Sequence, residues 1–336
     1  MSNLLDCIRV TVEGQDNSAE AVEGAFAQML SGEASAVQIA SFLTALRVKG
    51  ESVDEIVGAV RAMRGAMTRV EAPAGSIDVV GTGGDGAHTY NISTAVSFVV
   101  AGAGVPVAKH GNRAASSKSG AADVLAALGV NLDADFDTVQ RAIAQANVGF
   151  LFAMKHHSAM RHVGPVRGEL GVRTLFNLIG PLSNPSGASR QLIGVFSPLY
   201  LERMAKALAQ LGTDRAWLVH GSGLDEMSLH GPSQVVEMMD GQVRQFEVDA
   251  SDYGLTPAPL EAIRGGEPEE NAKALLGVLA GEPSAYRDMV LLNAGAALVV
   301  AGKADDIGAG IELARASIDG GAAQGALDQL IAITNS

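Results

Sequence analysis

The sequence predicts an α/β protein: a largely parallel sheet covered by helices, preceded by an all-helical N-terminal stretch. Three observations predict it. Residues 17 to 69 carry only helix signals, Pro73 and Gly75 interrupt the pattern, and beyond them short apolar runs alternate with helical segments. That alternation is the signature of strand–helix–strand units. In the helical stretch, Asn17 with Glu20 and Ser52 with Glu55 have capping-box spacing ahead of apolar-periodic runs, so helices are expected near 18–30, 35–48 and 53–67. Ile77–Val80 is the first strand, followed by a glycine loop and a helix from about Ser93 to Ala103. Val105–Ala108 is the second, followed by a polar loop and a helix near 119–128. Ala216–His220 is the third, ending at Gly221-Ser222-Gly223; further strands are expected at Gln234–Glu237 and Val243–Glu247. Helices near 269–281, 284–302 and 305–319 close the chain.

Composition narrows the class. A length of 336 residues accommodates two domains, and 47% apolar residues with 40 glycines and 4% aromatics describe a compact fold with small-residue packing. A single cysteine, Cys7, excludes an intramolecular disulfide and fits a reducing cytoplasm. MSNLLDCIRV lacks the basic and apolar regions of a secretory leader. The least polar stretches, Ala95–Ala108 and Leu291–Gly302, are too short to span a bilayer. A net charge of −13 argues against nucleic-acid binding. The acids are also unevenly placed. None occurs between Asp85 and Asp123, where the average density of 37 in 336 residues would give about four. That gap holds His88, Lys109, His110, Arg113 and Lys118; a second gap, Thr138 to Gly168, holds Arg141, Lys155, Arg161 and Arg167. Both read as segments that face anions.

Residues 81 to 94 read GTGGDGAHTYNIST, and the first six match G-x-G-x-x-G letter for letter. A dinucleotide loop needs its helix to begin within the glycine run and an acid about 20 residues on. Here Asp85 lies inside the run, four residues intervene before Asn91-Ile92-Ser93-Thr94 can cap a helix, and Pro106 stands where the acid is required. The dinucleotide reading fails. The glycines instead imply close backbone approach by another phosphate, with Asn91, Ser93 and Thr94 donating at the helix N-terminus.

The loop from Lys109 through His110, Gly111, Asn112, Arg113, Ala114, Ala115, Ser116 and Ser117 to Gly120 has the same strand-to-helix setting. Small residues expose backbone N–H groups, hydroxyls add donors and cations neutralise charge. Two such loops after consecutive strands lie side by side at the C-terminal edge of the sheet, where they suit a ligand with two separated phosphates. After a later strand, Asp225-Glu226 supplies the one or two carboxylates typical of a Mg²⁺ site shared with phosphates. The stretch from Phe150 to Arg167 contains His156, His157 and His162, whose spacing is no standard zinc pattern. Its apolar side chains with Arg167 suit a flat, aromatic, anionic small molecule.

Gly81–Gly86, Asn91–Thr94, Lys109–Arg113, Asp225-Glu226 and the run from His162-Val-Gly-Pro-Val-Arg167 to Asn184-Pro185 together resemble the anthranilate phosphoribosyltransferase family, in order and spacing, over essentially the whole chain. The resemblance implies a small helical domain, residues 1–70 joined by helices of about 155–187, and a large α/β domain of residues 75–150 and 190–336. The active site would lie in the hinge cleft, and the protein would be a cytoplasmic homodimer joined through the helical domain. It implies transfer of a phosphoribosyl group from phosphoribosyl pyrophosphate to the amine of anthranilate in tryptophan biosynthesis. By position, Gly81, Gly84, Asp85, Thr89, Asn91 through Thr94, Lys109 through Ser117 and Ala121 would hold the donor. Ser93, Asp225 and Glu226 would bind Mg²⁺; Gly81, Asn112 and Arg167 would contact anthranilate, with Arg167 on its carboxylate. No general base is assigned.

Three positions depart from the family pattern: Ala121 stands where serine is usual, and Met154 and Ser158 stand where proline is common. A more flexible wall around the acceptor is expected. Pyrimidine nucleoside phosphorylases resemble the Lys-His-Gly motif but not its Asn112-Arg113 continuation or the Gly81–Gly86 loop. A non-catalytic nucleic-acid-binding relative would want a basic surface and no Asp225-Glu226.

Overall fold

The computed structural model describes residues 4–114 and 118–336. Four helices open the chain: α1 (Leu4–Val12), α2 (Ala19–Ser31), α3 (Ala36–Lys49) and α4 (Val53–Ala66). The Ser52–Glu55 capping box forms as expected at α4. The cap of α2 differs: Ser18, not Asn17, accepts the Ala21 N–H. Asn17 is buried, and its backbone and amide N–H groups both donate to Glu55 Oε1, at 3.1 and 3.2 Å. Glu55 therefore caps its own helix and ties the start of α2 to it. Val22, Phe26 and Met29 of α2 meet Ile56, Val57 and Val60 of α4 in a fully buried stripe.

After the linker the chain runs β1 (Ile77–Gly81), α5 (Ile92–Gly102), β2 (Val107–Gly111), α6 (Ala121–Ala127), α7 (Phe136–Ala146) and β3 (Val148–Phe152). It then leaves the sheet as α8 (Ala153–His156), α9 (Gly164–Leu170) and α10 (Leu175–Ile179). It returns as β4 (Arg190–Gly194), α11 (Leu201–Gln210) and β5 (Arg215–Gly221), followed by the hairpin β6 (Ser233–Met239) and β7 (Gln242–Val248). Helices α12 (Pro268–Leu279), α13 (Ala285–Val300), α14 (Ile307–Asp319) and α15 (Ala322–Thr334) complete it.

The seven strands are ordered β3-β2-β1-β4-β5-β6-β7. The first five are parallel, and β6 and β7 are antiparallel additions. Chain order reverses between β1 and β4: from β1 the chain moves outward through β2 and β3, then returns to the other side of β1. Such a switch point opens a crevice beyond the carboxyl ends of the two strands, and ligands of open α/β sheets bind there. Side chains alternate across the sheet. Ile77, Val79, Leu192, Trp217 and Val219 face α5 and α13–α15, whereas Val80, Ile193, Ala216 and Leu218 face α11 and the helical bundle. Val163, Leu175, Phe176, Leu178 and Ile179 pack into that second cluster, so residues between β3 and β4 bury their apolar faces with α1–α4.

Strands β3 and β4 and helices α1, α7, α11 and α15 add to the elements expected from the sequence. The second strand also lies later than expected, at Val107–Gly111, so Lys109, His110 and Gly111 are its last residues rather than loop.

Candidate active site

The switch point is built on glycine. Gly81 ends β1 and pairs in register with Gly194, the end of β4. A Cβ on Gly81 would stand 2.4 Å from Asp225 Oδ2 and 3.3 Å from Asp225 O, so a larger residue there would push the Asp225 carboxylate out of place. The Gly83 N–H donates to the same carboxylate oxygen at 2.6 Å, and the Asp225 N–H donates to Asp85 Oδ2 at 3.4 Å. The Gly81–Gly86 loop and the Asp225 segment are thus one unit, although Gly83 and Asp225 stand 142 positions apart in the chain.

Helix α5 approaches this unit end-on. The Ser93 N–H in its first turn faces the Glu226 carboxylate and favours its charged form. Lys109 is only 3% exposed and rises from β2 beneath the helix end. Its ammonium donates to Val79 O at 2.6 Å and Ser93 Oγ at 3.1 Å. Burial, then repulsion from Asp85, pushes the Asp225 carboxyl up to about 7. Burial and Asp225 push Glu226 well above the usual carboxylate range, and Lys109 opposes this. Asp85, Asp225 and Glu226 are hard oxygen donors whose mutual repulsion a divalent cation would relieve, and the Ser93 hydroxyl is held by the Lys109 ammonium. The donor set fits Mg²⁺. Among the described residues, no group of three or more His, Cys, Asp or Glu side chains is arranged to hold a metal ion; a Mg²⁺ site at Asp225 and Glu226 would need further oxygen donors such as water or phosphate.

The chain matches two models of a glycosyl transferase family, the helical bundle domain over residues 5–67 and the a/b domain over residues 74–324. Anthranilate phosphoribosyltransferases from Brucella canis and Brucella abortus are each 56% identical to it over 335 residues, which cover 100% of this chain and 99% of theirs. The chain belongs to the anthranilate phosphoribosyltransferase family. The solved family structure from Thermus thermophilus has a TM-score of 0.94 at 44% identity and covers 98% of this chain and 100% of its own. The Saccharomyces cerevisiae family structure in complex with PRPP (phosphoribosyl pyrophosphate) and Mg has a TM-score of 0.91 at 30% identity, covering 99% of this chain and 98% of its own.

Several of the other positions expected to hold the donor have partners of their own. Thr89 pairs through its backbone with Arg264, and His88 O accepts the Gly265 N–H at 2.8 Å. Asn91 caps α5 without a side-chain bond; its amide donates to Ser119 O at 3.2 Å and accepts from Asn271 at 3.0 Å, tying the two glycine-rich loops together. Ile92 and Thr94 are 1% exposed, and the Thr94 hydroxyl has no protein partner among the described residues. Asn112 and Arg113 are exposed, Arg113 pairing with Asp123 at 2.8 Å. Asp123 also accepts the Ala114 and Gly120 N–H groups, both at 3.0 Å, and Ala121 opens α6. Ala115, Ser116 and Ser117 lie outside the described residues.

The expected acceptor side is carried by the segment between β3 and β4. Arg167 on α9 lies over the Phe176 ring at 5.1 Å and, among the described residues, has no carboxylate partner. Arg173 places its guanidinium 4.5 Å over Phe196 and donates to Gly84 O, joining this segment to the Gly81–Gly86 loop. His157 Nε2 contacts His110 Nε2 at 3.2 Å, and both rings are buried. Met154 and Ser158 are exposed. Asp78 is fully buried in β1, where burial raises its carboxyl to about 6. It accepts the His110 N–H at 3.0 Å and the Asn184 amide at 2.7 Å. Asp78 and Arg173 are not among the site residues expected from the sequence. A lone acid inside an apolar strand was the available signal for Asp78; nothing local marked Arg173.

Proposed function

We propose that this chain transfers the phosphoribosyl group of phosphoribosyl pyrophosphate to the amine of anthranilate, giving N-(5-phosphoribosyl)anthranilate and diphosphate within tryptophan biosynthesis. One observation carries the chemistry: Asp225 and Glu226 meet the Gly81–Gly86 loop and the start of α5 at the β1/β4 switch point. The family supplies the substrates. The Saccharomyces cerevisiae relatives include one in complex with PRPP and Mg and another in complex with 4-fluoroanthranilate.

In this reading Gly81, Gly84, Asp85, Thr89, Asn91–Thr94 and Lys109–Ser117 surround the donor, and Ala121 reaches it only through backbone. Ser93, Asp225 and Glu226 hold Mg²⁺, which when bound supplies positive charge to the departing diphosphate. Lys109 acts from beneath: its ammonium fixes the Ser93 hydroxyl and counters Glu226 rather than standing in the open cleft. Arg167 pairs with the anthranilate carboxylate while Gly81 and Asn112 orient its ring, so the amine faces the anomeric carbon. The bond from that carbon to the diphosphate oxygen breaks as the carbon–nitrogen bond forms. The amine proton leaves afterwards, so no side chain need act as a strong base. The helical stretch 1–70 with residues 155–187, and the α/β remainder, form the two sides of the cleft.

A cytoplasmic homodimer joined through the helical domain completes the proposal. Leu5, Val12, Val37 and Val48 on α1 and α3 are exposed apolar side chains that such a contact would cover. Among the described residues no helix is long and apolar enough to cross a membrane. The deciding assay follows anthranilate fluorescence in the presence of phosphoribosyl pyrophosphate and Mg²⁺. Mg²⁺-dependent loss of emission is expected; its absence with well-folded protein would refute the activity.

A further inference from the structure

Helix α13 is buried without a break from Met289 to Val300, and one polar side chain interrupts its apolar run. Asn293 is 0% exposed. Its Oδ1 accepts the Met227 N–H at 2.9 Å, and its Nδ2 donates to Met227 O at 3.0 Å and to Met289 O at 2.9 Å. Both backbone groups of the residue after Glu226 are therefore held by a side chain 66 positions away. A buried amide is costly unless its partners are placed for it, whereas leucine there would simply extend the core. The position of Asn293 is thus explained by what it grips. On the other side, the segment rests on the strand ends: a Cβ on Gly194 would stand 1.5 Å from Asp225 O.

We propose that Asn293 and Gly194 are positioning residues of the active site, which hold the Asp225–Glu226 pair over the switch point so that both carboxylates meet Mg²⁺ and the donor diphosphate. The proposal rests on the reading of Asp225 and Glu226 as metal ligands. Its physical basis is repulsion. Asp85, Asp225 and Glu226 repel one another, with the Asp225 N–H 3.4 Å from Asp85 Oδ2, and a free loop would relax by turning a carboxylate away. Asn293 resists that through the backbone of Met227 and leaves the carboxylates free to coordinate. Gly194 sets the depth of the Asp225 peptide.

The test compares Asn293→Leu, Gly194→Ala and the core control Leu298→Ala on the same helix. Two quantities are read: the Mg²⁺ concentration giving half-maximal activity, and the rise in melting temperature on adding Mg²⁺ with phosphoribosyl pyrophosphate. Removing a group that orients metal ligands lowers metal affinity about ten-fold or more. Asn293→Leu and Gly194→Ala should therefore raise half-saturating Mg²⁺ about ten-fold and diminish the thermal rise, with anthranilate affinity retained. Leu298→Ala should lower the melting temperature without moving the Mg²⁺ midpoint. Unchanged midpoints in both positioning variants, or an equal shift in Leu298→Ala, would overturn the proposal. If Asn293→Leu fails to fold, Gly194→Ala alone decides. Asp225→Asn with Glu226→Gln, run in parallel, separates the two claims: if it too leaves the midpoint unchanged, the metal assignment itself fails.

Discussion

Acidification should destabilise the fold through His157. The ring is 6% exposed, its Nε2 lies 3.2 Å from that of His110, and burial followed by the neighbouring His156 holds it down to about 4. An unfolded histidine titrates near 6.5. Between those values the unfolded chain binds a proton that the folded chain excludes, so unfolding becomes easier as pH falls. The contribution of neutral His157 is fully present above the unfolded value and is lost on approach to the folded one. From these two values the loss between pH 7 and pH 5 is about 2 kcal/mol. Asp78, raised to about 6, and Asp225, raised to about 7, act in the opposite sense, because their folded forms take up protons more readily than their unfolded forms. The wild-type curve alone therefore mixes the terms, and the difference from His157→Gln isolates the histidine. Urea unfolding followed by the emission of Trp217, the sole tryptophan and 3% exposed, provides the measurement. The wild-type advantage over His157→Gln at pH 7 should shrink by about 2 kcal/mol at pH 5. A difference that stays constant with pH would refute the reasoning.

Two further outcomes test the site. Arg167→Ala should raise KM for anthranilate about thirty-fold, corresponding to loss of about 2 kcal/mol of charge-assisted hydrogen bonding, with little change for phosphoribosyl pyrophosphate; equal losses in steady-state kinetics for both substrates would remove Arg167 from the acceptor site. Gly81→Ala places a methyl 2.4 Å from Asp225 Oδ2 and should lower kcat/KM about a hundred-fold while circular dichroism stays native; an active Gly81→Ala would mean that the Asp225 carboxylate is not held where the chemistry needs it.

The chemistry was more legible than the scaffold that aims it. Four glycines in six residues, a basic small-residue loop and an adjacent acid pair are local patterns with direct chemical meaning, and the structure brings the glycine loop and acid pair into contact. The short strands were not legible. Strand β3, Val148–Phe152, runs straight into α8, so no turn residue marks its end. Strand β4 is only five residues long and begins Arg190-Gln191, too polar to register as an apolar run. Lys109 read as a loop cation because the motif around it is polar, yet its side chain is buried beneath Ser93. The Asp78–Asn184 bond spans 106 residues, and Asn293 reaches Met227 across 66. Such partners leave no periodic trace in the sequence.

The fate of the α5 N-terminus argues for how the donor is held. In a dinucleotide loop the helix begins within the glycines, and its first N–H groups meet the diphosphate. Here His88 in left-handed conformation and the pairing of Thr89 with Arg264 delay the helix to Ile92. The Ser93 N–H, in the turn that would otherwise receive a phosphate oxygen, instead faces Glu226. A diphosphate brought to that position would face Glu226, Asp225 and Asp85, with the Lys109 ammonium below. Under the proposed function, three carboxylates and a diphosphate would need further positive charge between them, and hard oxygen donors would suit Mg²⁺ in that place. The glycine loop then need not neutralise the donor. Under the proposed function its N–H groups and close backbone approach would fix position, while the acids, through the cation they would recruit, would prepare the diphosphate to leave.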